Sequence, residues 1–563
     1  MSVIEINSDT ILADIDKHFK VSAGPGAGKT HWIVNHINNI ISNSDKLGKT
    51  RKVLCITYTN IATETISKRL GNSSEQVEIL TIHSFLYKHI VKPYASFIAG
   101  DFDLNFSQID GHDDIILSNY SFLDDWKTRT NQRRIRDDKT IIKAFHNLKW
   151  KFNSEGELVV KTDYPFSVEG YAIRNDSYRE YKKMTWERGI IHHDDVLFFS
   201  YQIIKKFPYV SNIISAKFPY ILVDEFQDSN PIQVKALREF ANSSTVGIIG
   251  DIAQSIYGFQ GADSEQFNSF NLTSQQLYTL RQNRRSSNDI IDFLNLLRTD
   301  ISQQYHRNII DSKPTLYVGD MVTALQHSRH DCGGEVITLS RENITSNALK
   351  AELNGTGIDK TLLEELRFKD SNKERATLIY ACIKAIALTR ELKFKDALKV
   401  LEKQFNYRTD KIKGRKKAIK YILILMEYYE TYNTYTLLEF SSFIKEKIDT
   451  SISRVSSGAV KTHYENHTFQ QLYLCVNIPE DQSFHKTIHK AKGDEFDNVL
   501  LILPDENDLN FITESNLQDN EEHRIRYVAV SRARDKLFIN VPTLSSSLET
   551  HLSTNFNFNV IRL

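Results

Sequence analysis

Three groups of residues carry chemistry by type and spacing. The first is Lys20-Val21-Ser22-Ala23-Gly24-Pro25-Gly26-Ala27-Gly28-Lys29-Thr30, an apolar lead-in, a glycine-rich turn and a Lys-Thr pair. Glycines without a Cβ let the backbone of Ala23, Gly24, Pro25, Gly26, Ala27 and Gly28 turn its N–H groups toward a phosphate chain. A helix starting at that point adds its positive end. Lys29 suits the β- and γ-phosphates of a nucleoside triphosphate, and Thr30 suits the accompanying Mg²⁺. The second group is Asp224-Glu225, two adjacent carboxylates after the apolar run Tyr220-Ile221-Leu222-Val223. Asp224 can hold Mg²⁺, while Glu225 can orient and deprotonate an attacking water. The third is Gln254, followed by Tyr257 and Phe259, so that one loop can touch both a γ-phosphate and a stacked base.

These groups need rigid carriers. Apolar runs at Lys52–Thr57, Val77–Thr81, Phe218–Val223 and Val246–Asp251 read as buried strands separated by helical patterns. Strands alternating with helices predict a parallel, doubly wound α/β sheet, whose ligands gather at the carboxyl ends of the strands. Tyr58, His83 and Phe85 fall at such ends. From about 91 to 189 the rhythm stops. A basic stretch predicted as helical follows, with Lys127, Arg129, Arg133, Arg134, Arg136, Lys139 and Lys143, then Lys149-Trp150-Lys151. Interleaved bases and aromatics suit a nucleic-acid backbone or a solvated face. Gln276–Leu280 and Glu335–Arg341 read as strands of a second sheet. A mainly helical region from 351 to 482 follows, with the basic run Lys411–Lys417, and the sheet resumes at Phe484.

Composition bounds the alternatives. With 563 residues the chain is long enough for roughly four domain-sized units, and its 40% hydrophobic and 25% charged content is that of a soluble globular protein. No apolar run approaches the ~20 residues of a membrane span, and the first residues lack the pattern of a secretory signal. The four cysteines lie far apart without a CxxC pair, which predicts no zinc or iron–sulfur site and fits a reducing cytoplasm. The formal net charge is zero, so a nucleic-acid partner has to be argued from local patches.

The chain resembles the UvrD/Rep-like superfamily 1 DNA helicases. The resemblance rests on blocks in order along nearly the whole length: the glycine-rich loop, Thr57-Tyr58-Thr59-Asn60, Thr81–Phe85, Val223–Asp228 and Gly250–Tyr257, then Leu280–Ser286, Thr487–Phe496 and Tyr527–Arg534. It implies two RecA-like parallel-sheet domains of the P-loop NTPase class, each with a mainly helical insertion. The first would span 1–90 and 190–272 with insertion 91–189, the second 273–350 and 483–563 with insertion 351–482. It further implies Gln254 as γ-phosphate sensor, Arg285 and Arg532 as arginine fingers from the second domain, Arg284 beside the adenine and Glu495 at the ribose. Tyr58, Thr59, Asn60, His83, Tyr257, Phe259 and His489 would line the DNA path. The implied cofactors are ATP and Mg²⁺; the implied partners are single-stranded DNA or duplex–single-strand junctions. Translocation would run 3′-to-5′. The chain also resembles the helicase-like component of Gabija-type anti-phage systems, which implies as alternative a DNA-end sensor or regulatory subunit acting with a separate nuclease. The sequence ends at Leu563, soon after Arg534, and the expectation is a motor without a fused nuclease. Several positions depart from the family pattern: Ala23 for Gly, Ile61 for Lys, Phe259 for Trp, Asp494 for Leu, Arg284 for an aromatic, and no Gln ahead of the phosphate loop.

Overall fold

The computed structural model describes residues 3–109, 116–117, 120–163, 165–168, 170–310, 313–352, 358–405, 411–478 and 483–563. The expected insertion limit at 482 lies outside the described residues. The chain divides into two compact units. One holds Met1–Ser286, Leu294–Asn308 and Ser515–Tyr527, the other Ser287–Phe293, Ile309–Glu514 and Val528–Leu563.

The first unit is built on a seven-stranded parallel sheet. Across it run Ile4–Ile6, Gln276–Leu280, Phe19–Ala23, Thr245–Gly250, Tyr220–Val223, Val53–Thr57 and Val77–Thr81. The strands Val53–Thr57, Tyr220–Val223 and Thr245–Gly250 are buried at every position, as a sheet covered on both faces requires. Two apolar layers cover it: Trp32, Ile33 and Ile37 of the helix Lys29–Asn43 on one side, Phe85, Phe199 and Phe240 on the other. The insertion is continuous with the second layer through Trp126, Trp150 and Trp186, all buried.

Two expectations are corrected here. The strand Gln276–Leu280, assigned from sequence to the second domain, pairs with Phe19–Ala23 in the first sheet. The basic stretch is not one helix: it runs through the helices Tyr120–Arg129 and Asp138–His146 into an antiparallel hairpin, Leu148–Phe152 with Leu158–Thr162. Trp150 and Leu148 alternate inward while Lys149 and Lys151 point the other way, a period of two and not of 3.6. Much of its charge is neutralised locally. Lys127 pairs with Asp138, Lys149 and Lys151 share Asp163, and Arg129 meets Glu187.

The second unit holds a six-stranded parallel sheet in the order His485–Thr487, Ile337–Ser340, Phe496–Ile502, Ala533–Val541, Thr315–Val318, Asn559–Arg562. Its insertion is helical and has its own core around Leu366, Ile383, Leu401, Tyr432 and Tyr464, separate from the core of the sheet.

Candidate nucleotide and single-strand sites

The strand Phe19–Ala23 delivers the glycine-rich loop to the carboxyl edge of the first sheet, and the helix begins at Lys29. Gly26 and Gly28 are left-handed, with φ of 67° and 80°. A Cβ on Gly26 would lie 2.4 Å from Asn283 Oδ1, and one on Gly28 2.8 Å from Ser8 Cβ. Conformation and space both demand glycine at these two positions.

Just past the end of Tyr220–Val223, two strands over in the same sheet, stand Asp224 and Glu225. The Lys29 ammonium lies 3.9 Å from Glu225 Oε1. Asp224 is buried and accepts the Glu225 N–H at 3.0 Å. Burial, and then the adjacent Glu225 charge, push its carboxyl well above the usual range, against the opposing pull of Lys29. A buried carboxyl held up in this way gains from a nearby cation. The oxygen donors Asp224 and Thr30 match the hard-ligand preference of Mg²⁺. Glu225 itself adopts a left-handed backbone, φ 51°, a strain on the order of 1–3 kcal/mol that clusters at functional sites.

A chain of hydrogen bonds leaves Glu225. Gln227 Nε2 donates to Glu225 Oε2 at 2.6 Å, and Gln227 Oε1 accepts the Asp251 N–H at 3.0 Å. Gln254 Nε2 donates to Asp251 Oδ2 at 2.7 Å. Asp251 is in turn gripped by Arg298, whose Nη2 and Nη1 lie 3.1 and 3.3 Å from its two oxygens. Arg298 also donates to Asp300 at 2.8 Å and to the Tyr527 hydroxyl at 3.3 Å. Burial opposes its charge, but Asp251, Tyr527 and Asp300 outweigh that and raise its pKa. The loop after Gln254 is held by a third segment: Glu521 accepts the Gly258 N–H at 2.8 Å, and Arg524 Nε donates to the Ser255 carbonyl at 2.7 Å.

Arg284 and Arg285 lie in the first unit, beside the glycine loop, and not in the second as expected. The buried Asn283 fixes their turn by accepting the N–H groups of Arg285 and Ser286 at 2.8 and 3.0 Å. The Arg284 N–H donates to the Gly26 carbonyl at 2.9 Å, and its guanidinium bonds to Asp9 and Gln282. That hydrogen bond, with one from His31, holds the Asp9 carboxyl below its usual range. Arg532, Glu495 and His489 belong to the second unit. There Arg532 is buried and donates to the carbonyls of Val528 and Asp494 at 3.1 and 3.2 Å, Glu495 is exposed, and His489 is half-buried.

The first unit also carries a cleft of about 930 Å³ lined by Tyr58, Thr59, Asn60, His83 and Lys149 among others. Tyr58 stacks on Tyr257 with ring centroids 4.5 Å apart, so Tyr257 forms the floor under Tyr58. Phe259 is exposed, its ring centroid 6.0 Å from that of Tyr257. His83 stacks on His193 at 3.7 Å. Burial, and then His193, depress its pKa to about 3, so at neutral pH it offers a flat neutral face to a base and not a charge to a phosphate.

Two family models together cover most of the chain: the UvrD/REP helicase N-terminal domain matches residues 6–275 and the UvrD-like helicase C-terminal domain 269–543. The chain belongs to the UvrD-like helicase family. It is 27% identical over 345 residues to Gabija protein GajB of Bacillus cereus (strain HuB5-5), covering 53% of this chain and 49% of that one. It is 24% identical over 383 residues to ATP-dependent DNA helicase PcrA of Bacillus subtilis (strain 168), covering 64% and 50%. DNA helicase II of Rickettsia typhi is 25% identical over 599 residues, covering 92% and 88%. The chain thus spans about half the length of the first two of these relatives. Membership of the UvrD-like family agrees with the two parallel sheets. Among the described residues no helix is long and apolar enough to cross a membrane.

Sequence reasoning placed Lys29, Asp224, Glu225, Gln254, Tyr58 and His83 but gave no role to Gln227, Asp251, Asn283 or Arg298. Gln227, Asp251 and Asn283 fall within Val223–Asp228, Gly250–Tyr257 and Leu280–Ser286, and their adjacency to Glu225, Gln254 and Arg285 is the available signal. Arg298, 47 residues from Asp251, offered none.

Proposed function

We propose that this chain is an ATP-driven motor on single-stranded DNA that moves 3′-to-5′. One observation carries the reading. Glu225 is joined through Gln227 and Asp251 to Gln254, and the loop that continues from Gln254 brings Tyr257 under Tyr58 at the cleft. Occupancy of the phosphate cradle and the shape of the base-stacking cleft therefore share one hydrogen-bonded segment.

In this account the glycine loop and Lys29 bind the triphosphate. Thr30 and Asp224 hold Mg²⁺, which when bound draws charge from the phosphates and orients them. Glu225 takes a proton from the attacking water, and Gln254 reports the γ-phosphate to the loop. Arg284 flanks the base, and likeness to the family assigns nucleotide roles to Arg285, Arg532 and Glu495. Tyr58, Thr59, Asn60, His83, Tyr257 and Phe259 hold the strand, with stacking worth ~1–3 kcal/mol per base, and likeness to the family assigns a DNA contact to His489. The four-part division by sequence is retained as a proposal, with residues 273–286 and the segments Leu294–Asn308 and Ser515–Tyr527 grouped with the first RecA-like domain. The 3′-to-5′ direction rests on likeness to the family.

The test is stopped-flow release from oligonucleotides labelled at one end. A 5′-end signal whose delay grows with length, and a 3′-end signal without that delay, support the direction; the reverse contradicts it. The GajB relative supports a second reading, an ATP-dependent regulatory subunit acting with a separate nuclease. A stoichiometric nuclease in complexes purified from the native host, with little unwinding of tailed duplexes, would favour it over an independent motor.

A further inference from the structure

The helix Lys411–Glu427, on the insertion of the second unit, has an outward face that the motor does not use. Its inward face is ordinary core: Ala418, Tyr421, Ile422 and Leu425 pack into the insertion. Its outward face holds Ile412, Ile419, Leu423 and Met426, exposed by 71%, 43%, 63% and 44%. With Lys416 between the first two, these positions step by +4, +3, +4 and +3. That is the spacing of a coiled-coil seam, four side chains deep and turned to water.

The charge of the helix identifies what fits the seam. Its sequence carries six basic residues and one acidic, and no acid in the first turn. Cations crowded at the positive end of a helix dipole oppose helix formation. Arg415 is offset by Glu402 at 3.2 Å, but Lys416 and Lys420 form no ion pair with any described residue. A second copy of the chain would bring the same positive charge to the contact. Nucleic acid would satisfy the lysines but leave four aliphatic side chains in water, with no aromatic ring among them to stack on a base.

The turn ahead of the helix Phe394–Glu402 is tied by Arg390 to Tyr429, just beyond Met426. Arg390 sits over the Tyr429 ring at 3.9 Å, and two residues on, Leu392 is left-handed with φ 60° and 77% exposed. A bulky residue held in that conformation and turned to water is a local cost of the fold.

We propose that the helix Lys411–Glu427 docks an acidic amphipathic helix of a partner protein, with leucine-type residues at heptad spacing on the seam and Asp or Glu opposite Lys416 and Lys420. The reading does not depend on the motor activity. It predicts a surface that recruits or regulates while the ATP and DNA sites work.

The test uses the full chain and a synthetic probe, a labelled leucine-heptad peptide with Glu at the flanking positions, followed by fluorescence anisotropy. Two controls are the same peptide with Lys flanks and a single-stranded oligonucleotide. The acidic peptide is expected to bind, and Leu423→Glu to weaken it by roughly tenfold or more, since a buried leucine is lost. Lys416→Glu with Lys420→Glu is expected to switch preference to the Lys-flanked peptide, while ATP hydrolysis and circular dichroism stay as in wild type. Four results would each overturn the proposal. They are no binding of the acidic peptide, equal binding of both peptides, a Leu423→Glu variant that binds as wild type, and self-association of the chain abolished by Leu423→Glu.

Discussion

The buried pair Arg298–Asp251 is the sharpest place to test how the site is held. The perturbation is Arg298→Gln. Side-chain exposure is 1% for Arg298 and 0% for Asp251, whereas Asp300, the other carboxylate on Arg298, is 40% exposed. Water can therefore take over at Asp300 but not at Asp251. Removing one partner of a buried pair costs about 3–5 kcal/mol, because the remaining charge is stranded. With a urea slope of about 3 kcal/mol/M, the midpoint should fall by about 1–2 M. The assay is built into the sequence: Trp32, Trp126, Trp150 and Trp186 all lie in the first unit and are buried, so intrinsic tryptophan fluorescence reads that unit alone. Adding Asp251→Asn to Arg298→Gln removes the stranded charge while leaving an acceptor for the Gln254 amide, and should restore much of the loss. Because Asp251 positions Gln254 and, through Gln227, Glu225, the single variant should also lower kcat for ATP more than it alters KM. A midpoint within 0.3 M of wild type (under about 1 kcal/mol), or no recovery in the double variant, would refute the reasoning.

Four further outcomes follow from the same geometry. The Asp224 carboxyl has a folded pKa raised by burial, so its contribution to stability is present at low pH and lost as pH rises above the ordinary aspartate range. Urea unfolding of the nucleotide-free protein should show this loss, and Asp224→Asn should flatten it. His83→Phe should keep single-strand affinity while His83→Ala loses ~1–3 kcal/mol; with the imidazole neutral above about pH 3, the ratio should not change between pH 6 and 8 in anisotropy titrations. Asp195 is fully buried against Lys182 at 2.9 Å and accepts both the Trp150 and Trp186 indole N–H groups. Asp195→Ala should therefore cost about 3–5 kcal/mol by the same fluorescence assay. Gly26→Ala would place a Cβ 2.4 Å from Asn283 Oδ1, and nucleotide binding by calorimetry should weaken by tenfold or more, about 1.4 kcal/mol.

How far the sequence carried the account can be judged residue by residue. The loop 24–28, the strand before Asp224 and the strand before Gln254 were legible because an apolar run, a turn and a chemical group coincide there. Gln276–Leu280 was legible as a strand but not as a member of the first sheet, since an apolar strand carries no mark of the sheet it joins. The short strand Ile4–Ile6 was missed because its pairing with Gln276–Leu280 depends on that same assignment. Lys149 and Lys151 continue the charge pattern of the helix before them, and only the alternation with Leu148 and Trp150 marks the strand. Arg298 could not be read at all, because a single arginine after a helix gives no hint of a carboxylate 47 residues earlier in the chain.

The central claim is that ATP hydrolysis at Lys29, Asp224 and Glu225 is coupled to a strand held at Tyr58, His83 and Tyr257. The direct measurement is ATP turnover with and without single-stranded DNA, in wild type and in Glu225→Gln. The account predicts strong stimulation by DNA and a fall of about 10²–10⁴-fold in Glu225→Gln, as expected for loss of a general base. Turnover indifferent to DNA, or undiminished in Glu225→Gln, would contradict it.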